Sequence, residues 1–162
     1  MTTEFSEYNK FAADRMLGRL ARWLRVNGQD VIYGGHLSGY GLVRAARQDG
    51  RLILTRDRSL GKKSPPCCLF IESDHFRAQL RQVVEACRLE PARNAFTRCV
   101  GCNTPLEAIA KAGVEGKVPP YVFATQERFS FCRKCQHIYW PATHQQKMLE
   151  ELNALGLKSP GI

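Results

Sequence analysis

Four cysteines carry the plainest chemistry in this chain. Cys99 and Cys102 form one C-x-x-C, and Cys132 and Cys135 form a second. Thiolates so spaced on a tight turn can share one tetrahedral cation, and two such turns complete a closed site of four sulfurs. Each pair is followed by a polar residue, Asn103 or Gln136, where such a knuckle often needs a left-handed backbone. A redox dithiol or chance clustering would also bring cysteines together, but a redox C-x-x-C normally comes once, after a strand. The doubling points to structural Zn²⁺, with all four positions filled and none open for catalysis. His137 and His144 lie close by. With four thiolates available, they are read as surface residues or as partners of the ligands.

Chemistry on a substrate then falls to aspartates. Asp14, Asp57 and Asp74 each follow a predicted strand, and ligands of an open parallel sheet bind outside the carboxyl ends of its strands. Asp30 begins a strand and Asp49 precedes one, which puts both at the opposite edge. Three converging carboxylates repel one another unless a divalent cation neutralises them. Oxygen ligands suit Mg²⁺ or Mn²⁺, which bind phosphate, activate water and stabilise a leaving oxygen. The competing role is helix capping, open to Asp14 and Asp74 because a helix follows each. Asp57 lacks an obvious following helix, which makes it the strongest single candidate. Arg15, Arg19 and Arg22 share one helix face beside Asp14. They would either hold phosphates or form a solvated face. Arg56 and Arg58 flank Asp57 and are read the same way. Phe129, Phe131, Tyr139 and Trp140 surround the second cysteine pair. They would serve a small module's own core or stack on bases, with Trp140 the candidate for RNA contact.

These residues need elements to position them. Lys10–Ala13 reads as a strand, Met16–Asn27 as a helix ended by Gly28, and Val31–Tyr33 as a second strand. A helix over Leu42–Gln48, a buried strand at Leu52–Leu54, a loop at Gly61–Pro66, a strand at Cys68–Ile71 and a helix over Phe76–Arg88 follow. Alternating strands and helices imply an α/β fold with a parallel sheet flanked by helices. Pro91–Phe96 reads as a boundary. The expected division is 1–92 for the α/β domain, 93–148 for a zinc ribbon held by the four cysteines and 149–162 for a C-terminal tail. The ribbon is expected to hold strands near Tyr121–Ala124, Arg128–Phe131 and Ile138–Trp140, and Met148–Leu155 to extend a terminal helix.

Composition sets the setting. The 162 residues suffice for one compact domain plus a metal-held module, and 24 Lys and Arg against 15 Asp and Glu give a charge of +9. That excess runs along the whole chain and points to a polyanion such as nucleic acid. Outside the two pairs, Cys67, Cys68 and Cys87 are an odd set that does not read as a disulfide framework, so a reducing cytoplasm is expected. Met1–Lys10 has no apolar leader pattern, and no stretch is long enough to span a membrane.

The stretches DRMLGRLARWLR (14–25), GRLILTRDR (50–58), TRCVGCN (97–103) and FCRKCQHIYW (131–140), with a following Thr143-His144, resemble the Mut-seven C-terminal RNase domain family. The resemblance covers about residues 11–148. It implies a PIN-like nuclease fold fused to a zinc ribbon and a metal-dependent ribonuclease activity; the expected partner is RNA, such as tRNA, rRNA or the ribosome. Asp14 and Asp57 match two of the family's acidic positions, as ligands of Mg²⁺ or Mn²⁺, and Asp74 corresponds more loosely to a further acid. The family pattern also implies an acid at the start of the second helix. Here that segment, His36 to Leu42, carries no carboxylate. This sets a second expectation beside the first: an RNA- or ribosome-binding protein with a degenerate, weakly active or inactive nuclease site.

Overall fold

The computed structural model describes residues 5–63, 68–90 and 93–155. Strands β1 (Lys10–Ala13), β2 (Asp30–Ile32), β3 (Leu52–Thr55) and β4 (Cys68–Phe70) form one sheet in the order β2-β1-β3-β4, with every pair parallel. Such strands need helical crossovers, and the chain supplies α1 (Gly18–Val26), entered through a 3-10 turn at Arg15–Leu17, then α2 (Gly39–Asp49) and α3 (Arg58–Lys63). Helix α4 (Phe76–Cys87) follows β4.

Alternation along the strands feeds two cores. Phe11, Ala13, Leu52 and Leu54 join Leu17, Leu20, Leu24, Leu80 and Val83 on the face covered by α1 and α4. Ala12 and Ile53 point the other way, to Leu42, Val43, Ala46 and Leu60 of α2 and α3. Neighbouring side chains of a strand face opposite sides, so a sheet covered twice reads as a continuous apolar run. The expected α/β architecture and the helix of 16–27 are therefore present, the helix ending at Gly28 with φ +82°.

Two expected segments differ. The loop expected at Gly61–Pro66 begins inside α3, which runs to Lys63; residues 64–66, like Cys67, lie outside the described residues. Gly61 masked the helix in the sequence, but Leu60, 6% exposed, anchors it to the core. The strand expected near Tyr121–Ala124 is helix α5 (Pro120–Thr125). Its β-branched and aromatic composition suggested a strand. Pro120 at the first helical position, where proline's fixed φ suits a helix and its missing N–H costs nothing, decides otherwise.

Strands β5 (Glu107–Ile109), β6 (Phe129–Phe131) and β7 (Ile138–Tyr139) form an antiparallel sheet over a small core of Val114, Val118 and Phe129. Helix α6 (Thr143–Ala154) then returns to the first core, where Leu152 is fully buried and Leu155 nearly so. It crosses the expected boundary at residue 148. None of the described helices is long and apolar enough to cross a membrane.

Candidate active site and metal centre

The two knuckles are built alike. In each, the backbone N–H four residues after the first cysteine donates to that cysteine's carbonyl, Asn103 to Cys99 at 2.9 Å and Gln136 to Cys132 at 2.8 Å. The N–H of each first cysteine donates five residues on, to Thr104 and to His137. Asn103 and Gln136 have φ +65° and +64°, the left-handed turn anticipated from the sequence. The result brings Cys99, Cys102, Cys132 and Cys135 together with all ligand atoms within 4.8 Å. Cys99 Sγ lies 3.6 Å from Cys135 Sγ, and Cys102 Sγ 3.2 Å from Cys132 Sγ. Tetrahedral Zn–S bonds of about 2.3 Å require sulfurs about 3.8 Å apart, so the four thiols fit a single Zn²⁺. Among the described residues this is the one such group of three or more potential ligands, and neither His137 nor His144 belongs to it. Tyr139 Oη lies 3.1 Å from Cys99 Sγ, positioned to donate to it as a thiolate. Of the remaining cysteines, Cys87 is buried, which pushes its thiol up to about 12 and leaves it protonated and unreactive.

The acids stand at the other end of the first module. The strand order reverses direction between β1 and β3, and in an open α/β sheet a ligand crevice opens at that switch point. Asp14 follows β1 and Asp57 closely follows β3. Thr55, fully buried, links them: its hydroxyl donates to Asp14 Oδ2 at 2.8 Å and accepts the Asp57 N–H at 3.0 Å. The capping roles are the reverse of what the sequence suggested. Asp14 is only 6% exposed, and its side chain makes no capping bond to the turn that follows. Asp57 does have a following helix, α3, and accepts Ser59 N–H at 2.8 Å and Ser59 Oγ at 2.6 Å on Oδ1. Asp74 is exposed, 3.6 Å from His75 Nε2. The three aspartates do not form a cluster of the closeness that the cysteines show. Two carboxylates on neighbouring strands still suit Mg²⁺ or Mn²⁺, which is commonly held by one or two carboxylates plus water and substrate phosphate. A carboxylate has about four acceptor sites, and the Thr55 bond uses one of those on Asp14.

The arginines divide by what they already hold. Arg15, Arg19 and Arg22 are exposed along α1 and the turn before it, and the Arg19 guanidinium carbon lies 3.7 Å from the centre of the Phe76 ring. Arg56 donates to the carbonyls of Ile71 and Glu72 at 3.1 and 2.9 Å, tying β3 to the end of β4. The Arg58 guanidinium carbon lies 4.6 Å from the centre of the Phe70 ring. Trp140 is half-buried against the core of the small sheet and also lines a groove facing α1.

Arg25 and Asn103 were legible only as parts of motifs, yet they join the modules. Arg25 is 7% exposed and donates to the carbonyls of Val31, Val100 and Gly101 at 2.9, 2.9 and 3.1 Å. Asn103 accepts the Val31 N–H at 2.9 Å and donates to Asp30 Oδ1 at 2.7 Å. Asp30 also pairs with Arg51 at 2.7 Å. Burial raises the Asp30 pKa, but hydrogen bonds from Arg51 and Asn103 more than offset it and hold the carboxyl below its ordinary value. Asp30 thus serves the junction, at the sheet edge opposite the candidate site.

No curated protein and no solved structure matches the chain. The model of the Mut7-C RNAse domain matches residues 9–152, which takes in both modules, the switch-point acids and the four cysteines; the chain belongs to the Mut7-C RNAse domain family.

Proposed function

We propose that this chain is a Mg²⁺- or Mn²⁺-dependent ribonuclease of the cytoplasm, with residues 1–92 as its nuclease domain and 93–148 as a zinc ribbon aiding RNA binding, α6 returning from the ribbon to the nuclease core. One observation carries the reading: Asp14 and Asp57 flank the switch point of a parallel sheet and are linked through buried Thr55. In a protein of charge +9, an acidic pair so placed suits a phosphodiester held by basic residues around it. Asp14 and Asp57 would hold the cation, with Asp74 in support. Thr55 fixes the Asp14 carboxylate, and Arg15, Arg19 and Arg22 orient the strand by its phosphates. The cation, once bound, would supply charge stabilisation to the phosphate and the leaving oxygen.

The test is cleavage of RNA with added Mn²⁺ by the native chain, Asp14→Asn and Asp57→Asn. Asparagine caps a helix as well as aspartate does, so Asp57→Asn leaves α3 intact and removes only the charge. A loss of about a hundredfold or more in each variant is expected. Equal cleavage by variant and native chain, or none by either, overturns the catalytic assignment.

The start of α2 favours a second reading. Ser38 makes no side-chain cap, and the first turn, Gly39-Tyr40-Gly41, holds no acid. An RNA- or ribosome-binding protein with a weak or inactive site would bind RNA in a salt-sensitive way that survives both asparagine substitutions. Brisk cleavage would exclude it.

A further inference from the structure

A groove of about 1290 Å³ runs between α1, the cysteine knuckles and α6. Arg19 and Arg22 stand on its α1 side, Lys147 and His144 on its α6 side, and His137 and Trp140 on the wall between. Arg22 and Lys147 are exposed and make no ion pair or hydrogen bond among the described residues. Arg25 also borders the groove, but its guanidinium is committed to backbone carbonyls. The acid present, Glu151, is paired with Arg77. The groove therefore offers uncommitted positive charge on two sides and an aromatic wall.

We propose that this groove is a track for single-stranded RNA, leading the strand from the metal centre to the acidic edge of the sheet. For the nature of the polyanion the proposal rests on the ribonuclease reading. Three observations carry the rest. Aromatic rings beside cationic side chains form the platform that unpaired bases stack on, and a duplex keeps its bases out of reach. The nine residues of α1 give the floor a length of about 14 Å, enough for more than one nucleotide of extended strand. The groove also leads somewhere. Gly18, four residues after Asp14, lies at its head, and Arg19 lines a second cavity of about 410 Å³ with Met16, Asp74, His75 and Arg77. A strand whose phosphates rest on Arg22 and Lys147 continues past Arg19 towards the ends of β1 and β4. The knuckles have a role here beyond stability, because they form one bank of the track.

The experiment uses the full zinc-loaded chain with two probes, a fluorescein-labelled oligouridine and a labelled blunt RNA hairpin, read by anisotropy across a salt series. The variant is the double Arg22→Ala/Lys147→Ala. The control is Arg44→Ala/Arg47→Ala, which removes the same charge from α2 on the far face of the sheet. The oligouridine is expected to bind at least about tenfold tighter than the hairpin, and the groove double to lose at least about tenfold of that affinity. Its slope of log affinity against log salt is expected to flatten by about 1.4, for two phosphate contacts on a single strand. Bromouridine cross-links should fall on Trp140 or His137. Equal losses from the α2 control, equal binding of the hairpin, or binding of neither probe overturns the track. Cleavage separates the two proposals. Loss of cleavage in Asp57→Asn with no dependence on the groove pair sinks the track alone, whereas groove-dependent binding without cleavage by the native chain sinks the ribonuclease reading alone.

Discussion

Thr55 ties the Asp14 carboxylate to the backbone of Asp57, and it was invisible as anything but the end of a strand. Its hydroxyl is buried and used twice, as donor to Asp14 and as acceptor from the Asp57 amide. Thr55→Val keeps the shape and strands both partners, which costs about 1–3 kcal/mol. A fall of that size in stability by urea unfolding is expected, with Thr55→Ser restoring most of it. Asp30 permits a second test. Its carboxyl is held below the ordinary value, so the unfolded chain binds the proton more readily. The stabilisation is therefore complete at neutral pH and is lost as pH falls through the carboxylate range. Asp30→Asn should lower stability at neutral pH by about 2 kcal/mol and flatten the acid limb of the stability profile. The cysteines, the left-handed Asn103 and Gln136 and the edge reached by each aspartate were all legible, because spacing and strand ends determine them. Which aspartate caps a helix was not, since that depended on a short helix hidden by Gly61.

The strands of the first sheet and helices α1, α2 and α4 could be read because each carries a long apolar pattern with a glycine or polar stop. Short elements gave way to context. Helix α3 has six residues and one buried anchor, α5 is set by Pro120, and β5 is three residues with a single exposed position between two half-buried ones. Helix α6 shows the same limit from the other side. Its periodicity was visible near Met148, but only the fold shows Leu152 entering a core built by residues more than sixty positions earlier. Leu152→Ala should destabilise the α1–α4 layer by about 2–5 kcal/mol, as a fully buried leucine does, and not merely loosen a tail. Near-identical unfolding midpoints for this variant and the native chain would contradict that placement.

Taken whole, the molecule couples its two modules through side chains that reach into each other's backbone. Gly28 shows how close they come: a Cβ there would lie 2.1 Å from the Asn94 carbonyl oxygen. Removing Zn²⁺ withdraws folding energy from the four-cysteine site, and the junction passes that loss on. With Trp140→Phe leaving Trp23 as the reporter in the first core, a chelator should lower the urea midpoint seen by Trp23 as well as unravel the small sheet. An unchanged Trp23 transition would mean the modules stand independently. The junction has a further consequence. Strand β2 is at the border of its sheet, and both outward-facing backbone groups of Val31 are taken, the N–H by Asn103 and the carbonyl by Arg25. Open sheet borders recruit strands from other chains. The first knuckle thus covers that border, and a Zn²⁺ held by the four cysteines would keep it seated. Chain stripped of zinc should self-associate through β2 as it accumulates, so that metal supply would govern its solubility.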